Sequence, residues 1–255
     1  MKGKFMNRFE CHWRLLGAAA LAAASWPALA EDGLTAGVGV AVSPAFAGAE
    51  DYRVRPLPIV EFERGALFAN FRDGVGYRIV DDDNIELGAS LAIVPGYRRR
   101  DMPEGIRGLS AAAGVRLFAR ASTGPVSASV GATRSVAGGT GGTVVDATLA
   151  YAAPLTRELV LIPSVGLAWA NRRHNDRYFG ITPREAAASG LSAYRAGSGL
   201  TEFSAGVTGI YRLGDTTSLS LGGRATRLAN DAADSPLVER RTGFSAFGAL
   251  SFRFR

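Results

Sequence analysis

From Leu34 onward the chain alternates. Leu34, Ala36, Val38, Val40 and Val42 fall on one side of an extended strand, with Thr35, Gly37, Gly39 and Ala41 on the other. The period of two returns at Ile85–Ile93, Leu109–Leu117, Val126–Ala132, Leu159–Trp169, Phe203–Tyr211 and Leu250–Phe254. Successive side chains of a strand point to opposite faces, so the pattern asks for a sheet with one apolar face. A soluble β-sandwich meets that demand too. The second face separates the two: it carries Gly, Ser and Ala with single arginines and acids, where a solvated exterior is usually richer in Lys, Thr and Glu. Small and mixed-charge residues suit the lumen of a membrane barrel.

No stretch after Ala30 offers about eighteen consecutive apolar residues, the length a spanning helix requires. A chain of this kind enters lipid only as a closed sheet, since helices and closed barrels alone satisfy their backbone groups there. The sequence therefore predicts an all-β fold, a transmembrane antiparallel β-barrel with long extracellular loops. Strands are expected near 34–42, 54–62, 66–72, 74–80, 84–94, 108–120, 125–136, 142–152, 159–170, 199–212, 217–228 and 241–254. That makes about twelve; reading 66–80 as one bent strand breaks the parity, and ten is the alternative. Short and long connections mostly alternate, and Tyr77, Tyr151, Trp169, Tyr211 and Phe254 stand near strand ends, as interfacial girdles do.

The first thirty residues read differently. Lys2, Lys4 and Arg8 precede the apolar run Leu15–Ala24, and Ala28-Leu29-Ala30 forms a small-x-small site before Glu31. These three parts predict a cleaved secretory signal over 1–30 and a single barrel domain over 31–255. Cleavage removes Cys11, the one cysteine, so the mature chain has no disulfide or thiolate chemistry. It also lowers the formal charge from +6 to about +3. The remaining basic residues are all arginine, interspersed with acids, which does not describe a nucleic-acid partner.

No residues present a catalytic, cofactor or metal constellation. Asp81-Asp82-Asp83-Asn84 lacks the spacing of a calcium loop and reads as a polar turn. His174, the one histidine of the mature chain, would have to carry any hydrolase dyad, and nothing around it looks like a nucleophile motif. Two groups are more informative. Arg78, Glu86, Arg116, Arg120, Asp146, Glu202, Arg212, Arg224 and Arg253 fall on the inward face and predict a lumen of opposed charges. Arg98, Arg99 and Arg100 lie in an external loop, where guanidinium groups would meet lipopolysaccharide phosphates, or only water.

Three segments carry a family resemblance. The first runs from Gly37-Val38-Gly39-Val40 through Ser43-Pro44 and Gly48 to Asp51-Tyr52-Arg53-Val54-Arg55-Pro56-Leu57-Pro58. The second is Tyr178-Phe179-Gly180-Ile181-Thr182-Pro183, then Ala188-Ser189-Gly190-Leu191 and Tyr194-Arg195-Ala196-Gly197. The third is Asp231-Ala232-Ala233-Asp234-Ser235-Pro236. In this order and spacing the chain resembles the MipA/OmpV family, the MltA-interacting outer-membrane proteins. It departs at Ala45-Phe46-Ala47, where the family has an acid and a tyrosine, and at the closing aromatic Phe254, which Arg255 follows.

The same segments have a physical reading. Pro56 and Pro58 fit a strand only where no ladder donor is needed. Thr182 as N-cap, Pro183 at the first helical position, Glu185 in the first turn and Gly190 as stop predict a short helix in an external loop.

The resemblance implies a non-enzymatic scaffold in the cell outer membrane, joining a lytic transglycosylase to a murein synthase and handled by the barrel-assembly machinery during biogenesis. It implies no cofactor. A narrow porin-like pore for small solutes and a surface adhesin are the other roles the family name covers.

Overall fold

The computed structural model describes residues 33–254, so the predicted signal, Cys11 within it, and Arg255 lie outside the described residues. Twelve strands follow one another: β1 (Gly33–Pro44), β2 (Tyr52–Arg64), β3 (Leu67–Asn70), β4 (Gly74–Asp81), β5 (Ile85–Val94), β6 (Ala112–Thr123), β7 (Val126–Ala137), β8 (Thr143–Tyr151, continued by Ala153–Pro154), β9 (Leu159–Ala170), β10 (Gly199–Arg212), β11 (Thr217–Leu228) and β12 (Thr242–Phe254). Each runs antiparallel to its neighbour. β12 returns to β1 from Leu34↔Phe254 to Val42↔Ala246, closing the ring. No described helix is long and apolar enough to cross a membrane.

The count is twelve because 66–80 is a hairpin, β3–β4, turning at 71–73. Two expected boundaries move. β6 begins at Ala112, four residues later than its alternation indicates; Leu109 instead bridges to Tyr97 above the ring and is buried among loop residues. The apolar period continues there because a second core takes over from lipid. β8 is interrupted at Ala152. Continuing its register would set Pro163 of β9 opposite Tyr151, and proline has no N–H to give the ladder.

The outward face is apolar and open: Val38 is 73 % exposed, Leu91 63 % and Val165 55 %. A continuous face of this kind is stable only against lipid. Inside, the small residues make room for large ones lying flat on the wall. A methyl group at Gly131 would collide with the Arg116 guanidinium, one at Gly88 with the Phe118 ring, and one at Gly222 with the Phe247 ring.

Short turns at 65–66, 82–84, 124–125, 155–158 and 213–216 gather at the end that holds both Gly33 and Phe254, the periplasmic end by the rule for such barrels. In the second of these turns, Asp82 Oδ1 accepts from the N–H groups of Asn84 (2.9 Å) and Ile85 (2.7 Å). The opposite end carries long loops at 45–51, 95–111, 171–198 and 229–241 and a short one at 138–142. They contain a 3-10 turn (Arg99–Asp101) and helices α1 (Arg172–Phe179), α2 (Pro183–Ser189) and α3 (Asn230–Ala233).

Candidate functional site

Two structures stand out, one on the inner wall of the barrel and one at its outer mouth. The first is a chain of alternating charge on the inner wall. Glu63 of β2 accepts from Arg78 Nη2 of β4 (2.6 Å), and Arg78 Nε donates to Glu86 of β5 (3.0 Å). Glu86 also pairs with Arg120 of β6, whose other nitrogen reaches Asp73 Oδ2 (3.1 Å). Asp73 Oδ1 lies 3.0 Å from Arg116 Nε. Arg116 ends the chain in a two-point bond to Asp146 of β8, at 2.6 and 3.0 Å. Arg72 lies among these groups and donates to Ser129 Oγ of β7 at 2.5 Å.

Burial makes this network consequential. Asp73 is 2 % exposed and Arg116 6 %. Phe68 and Phe118 meet edge to face beneath it (5.5 Å), with Arg78 over the first ring and Arg120 over the second. A charge held away from water is tolerated only when it is paired and hydrogen-bonded, and here each of the seven linked residues has a partner of opposite sign.

Of the nine inward charges expected from sequence, Arg78, Glu86, Arg116, Arg120 and Asp146 are in this network. Glu202 of β10 and Arg224 of β11 interact electrostatically with each other and with Asp146, the last residue of the network. Arg212 and Arg253 lie exposed at the periplasmic rim, where Arg212 donates to the Arg157 carbonyl and Arg253 approaches Glu61. Asp73, the hub, reads in the sequence as half of an Asp-Gly turn, and Glu63 as part of a tight turn. What moves Asp73 inside is the length of β3: at four residues the hairpin ends partway up the wall, so its tip turns into the lumen.

The second structure is a cap over the outer mouth. Its centre is Tyr178, on α1. The Ala47 N–H donates to the Tyr178 hydroxyl (3.3 Å), and the Tyr97 hydroxyl donates to the Tyr178 carbonyl (3.1 Å). The Tyr97 ring packs edge-on against Tyr178 at 5.1 Å, and His174 stacks on it at 5.8 Å. Ser235 Oγ donates to the carbonyl of Phe179 (2.6 Å), and Gly197 N–H to Asp231 Oδ2 (2.6 Å). Around these bonds two apolar clusters form, one with Phe46, Tyr97, Met102, Ile106 and Ile181, the other with Phe179, Ala196, Leu228 and Ala232.

Local sequence explains the cap's helices. The Asn171 side chain accepts from His174 N–H and starts α1, which the sequence reading missed: Arg172-Arg173-His174-Asn175-Asp176 looks like a charged loop. α2 forms as expected. Thr182 and Glu185 exchange bonds in a capping box, Pro183 opens the helix, and Gly190 ends it at φ +74°. Glu185 then reaches out of its own loop to Arg107 Nε (2.8 Å). Burial pushes this carboxyl upward, but the bonds from Arg107 and Thr182 outweigh it and hold it down at about 2. Burial lowers His174 to about 4, leaving a neutral ring whose Nδ1 lies 3.0 Å from Thr140 Oγ1. Burial, then Tyr178, raise the Tyr97 hydroxyl above the usual phenol range. Beside the cap a cleft of about 630 Å³ separates loops 95–111, 138–142 and 171–198, with Arg107, Arg173, Arg177 and Glu185 on its walls.

Arg98, Arg99 and Arg100 sit at the start of the long loop after β5, exposed. Asp101, beside them, pairs with Arg53 at the top of β2.

A closed ring of lipid-facing strands with a folded cap defines an outer-membrane β-barrel. The segments that build the cap belong to one family: a profile described as MltA-interacting protein MipA matches residues 36–254, and the chain is a member of that family. It is similar to YiaT of Escherichia coli strain K12, an outer membrane protein by name, at 24 % identity over 230 residues, covering 87 % of this chain and 91 % of that one. The MltA-interacting protein of the same strain is 29 % identical over 97 residues, 38 % of each chain. Outer membrane protein OmpV of Vibrio cholerae is 28 % identical over 94 residues, 37 % of this chain and 36 % of its own. Among solved structures the NanC porin superposes with a TM-score of 0.45 at 10 % identity, over 86 % of this chain and 98 % of its own.

Proposed function

We propose that this barrel is a non-enzymatic interaction protein that holds a murein-degrading transglycosylase and a murein-synthesising enzyme at the outer membrane. The observation that carries the reading is a lumen wall cross-linked by buried ion pairs beneath a folded cap of loops. The Glu63–Arg78–Glu86–Arg120–Asp73–Arg116–Asp146 chain runs along half of the inner wall, and the cap packs over the mouth. A pore needs neither; a barrel whose work is done on its surface gains rigidity from both. The name of one relative, MltA-interacting protein, supports the same reading. His174 supports no hydrolase: a ring at about 4 is a weak base, and its Nδ1 is occupied by a buried threonine. The enzymes would dock on the periplasmic turns, at the end of the barrel that faces their compartment.

The test is affinity capture with tagged full-length protein in mild detergent from envelope extract of its own organism. Enrichment of a lytic transglycosylase or a murein synthase, lost when the 155–158 and 213–216 turns are replaced, is the expected result. Recovery of lipopolysaccharide and assembly factors alone would remove this reading. The pore reading has one observation in its favour, the polar wall of β10 and β11 where Glu202 and Arg224 keep partial exposure. Reproducible conductance steps in a planar bilayer would put it first.

A further inference from the structure

The barrel wall has a notch. β2 pairs with β1 over its whole length, from Gly33↔Glu63 to Pro44↔Tyr52, yet with β3 only at Phe62, Glu63 and Arg64. β5 pairs with β6 from Ile85 to Val94, yet its ladder to β4 stops at Val75↔Leu91. Above the β3–β4 tip, residues 52–61 of β2 and 92–94 of β5 therefore border a gap in the half of the wall nearer the outer surface. Two strands are inserted below it, so at the tip β2 and β5 stand about three strand spacings apart, roughly 14 Å, and about 30 Å of β2 lines the opening.

The edge of β2 is built to remain unpaired. Arg64 and Leu67 close a two-residue turn, which sets the backbone groups of even-numbered β2 residues toward β3 and, higher up, toward the notch. Those residues are Tyr52, Val54, Pro56, Pro58 and Val60. The two prolines have no N–H, so two of the five donors that hydrocarbon would leave unsatisfied are absent. The same absence opposes addition of a strand from a second protein, which depends on main-chain donors. The occupant must instead be apolar. Val54, Val60, Phe71, Val75, Leu91 and Ile93, around the rim, are all exposed hydrophobic residues.

The top of the notch is cationic. Arg53 reaches across to Asp101, tying β2 to the loop that follows β5. Arg100 lies 3.8 Å from the same carboxylate, Arg98 lies close to Arg55, and Arg98, Arg99 and Arg100 all face solvent. Apolar walls beneath a cluster of guanidinium groups, at the outer-leaflet level, match a phosphorylated, multiply acylated lipid.

We propose that the notch is a binding site for lipopolysaccharide. Its acyl chains fill the gap between β2 and β5, and its phosphates lie against Arg98, Arg99 and Arg100. The site is independent of the scaffold reading, because it faces lipid and not the periplasm.

The experiment uses the full-length protein in detergent and native mass spectrometry, with deep-rough lipopolysaccharide as one probe and dioleoylphosphatidylglycerol as the other. Retention of lipopolysaccharide over the phospholipid is expected. The triple variant R98S/R99S/R100S should weaken it on the order of a hundredfold, at about a factor of five per arginine near a charged lipid surface. These side chains are exposed, and a heat-modifiable gel shift confirms that the variant barrel is folded. A photo-reactive phenylalanine at Val60 should capture the acyl chains, and one at Val165, across the barrel, should not once the sample is delipidated. Equal retention of both lipids, retention unaffected by the triple variant, or equal capture at 60 and 165 would each overturn the proposal.

Discussion

Arg116 shows how one residue can be both the most costly and the most constrained in a barrel. It links Asp73 to Asp146 and lies flat over Gly131, which supplies the space. Arg116→Ala leaves the buried Asp73 with Arg120 alone and takes from Asp146 its two-point partner. Breaking a buried pair from one side costs about 3–5 kcal/mol. Urea unfolding followed by Trp169 fluorescence should show that loss, whereas Arg253→Ala at the exposed rim should stay within about 1 kcal/mol of wild type. Gly131→Val tests the same point without removing a charge: the added side chain should dislodge the guanidinium and destabilise by a similar amount. If Gly131→Val is neutral, the glycine is not there for Arg116.

At the scale of the element, the cap behaves as a small domain tied to the barrel by hydrogen bonds. Its pH dependence follows from two groups. Glu185 falls from an ordinary 4.5 to about 2, so its bonds to Arg107 and Thr182 contribute fully above about 4.5 and are lost as pH falls toward 2. His174 falls from 6.5 to about 4. The unfolded segment takes up that proton first, so its contribution is whole above about 6.5 and declines between 6.5 and 4. Both signs agree: acidification loosens the cap while the strands hold. Amide hydrogen exchange of residues 172–197, taken relative to the intrinsic chemical rate at each pH, should rise from pH 7.5 to 5.5 to 3.5, with the protection of β6 and β7 unchanged. His174→Phe should remove the upper window and leave the lower one. Thr182→Ala should raise exchange in α2 at every pH, by about 1 kcal/mol of lost capping.

For the whole molecule, conduction through the lumen is the property to measure. Wild-type protein in a planar bilayer should give no reproducible steps. Neutralising the network alone, with R116A/R120A, should give few, because the cap still covers the mouth. Adding Glu185→Ala, which releases the 171–198 loop from Arg107, should give steps. Conductance from the wild-type protein would mean that the β10–β11 side of the lumen is an open path.

Much of this architecture is legible in the amino-acid sequence, because lipid is an uncompromising solvent. It forces every strand to alternate, and a period of two survives in the sequence wherever one face meets hydrocarbon. Most strand positions and the start of α2, with Thr182 as N-cap and Pro183 and Glu185 in its first turn, follow from signals only a few residues long; the choice of twelve strands over ten waited for the β3–β4 hairpin. The tertiary structure decided what depends on distance along the chain. Leu109 looks like a lipid-facing residue and is in fact cap core, since alternation does not say which apolar phase a side chain enters. Asp73 looks like a turn residue and is the hub of the lumen network, because the turn's height on the wall is set by how far β3 climbs. The pairing of Arg116 with Asp73, 43 residues away, and the convergence of distant loops on Tyr178 exist only once the ring has closed.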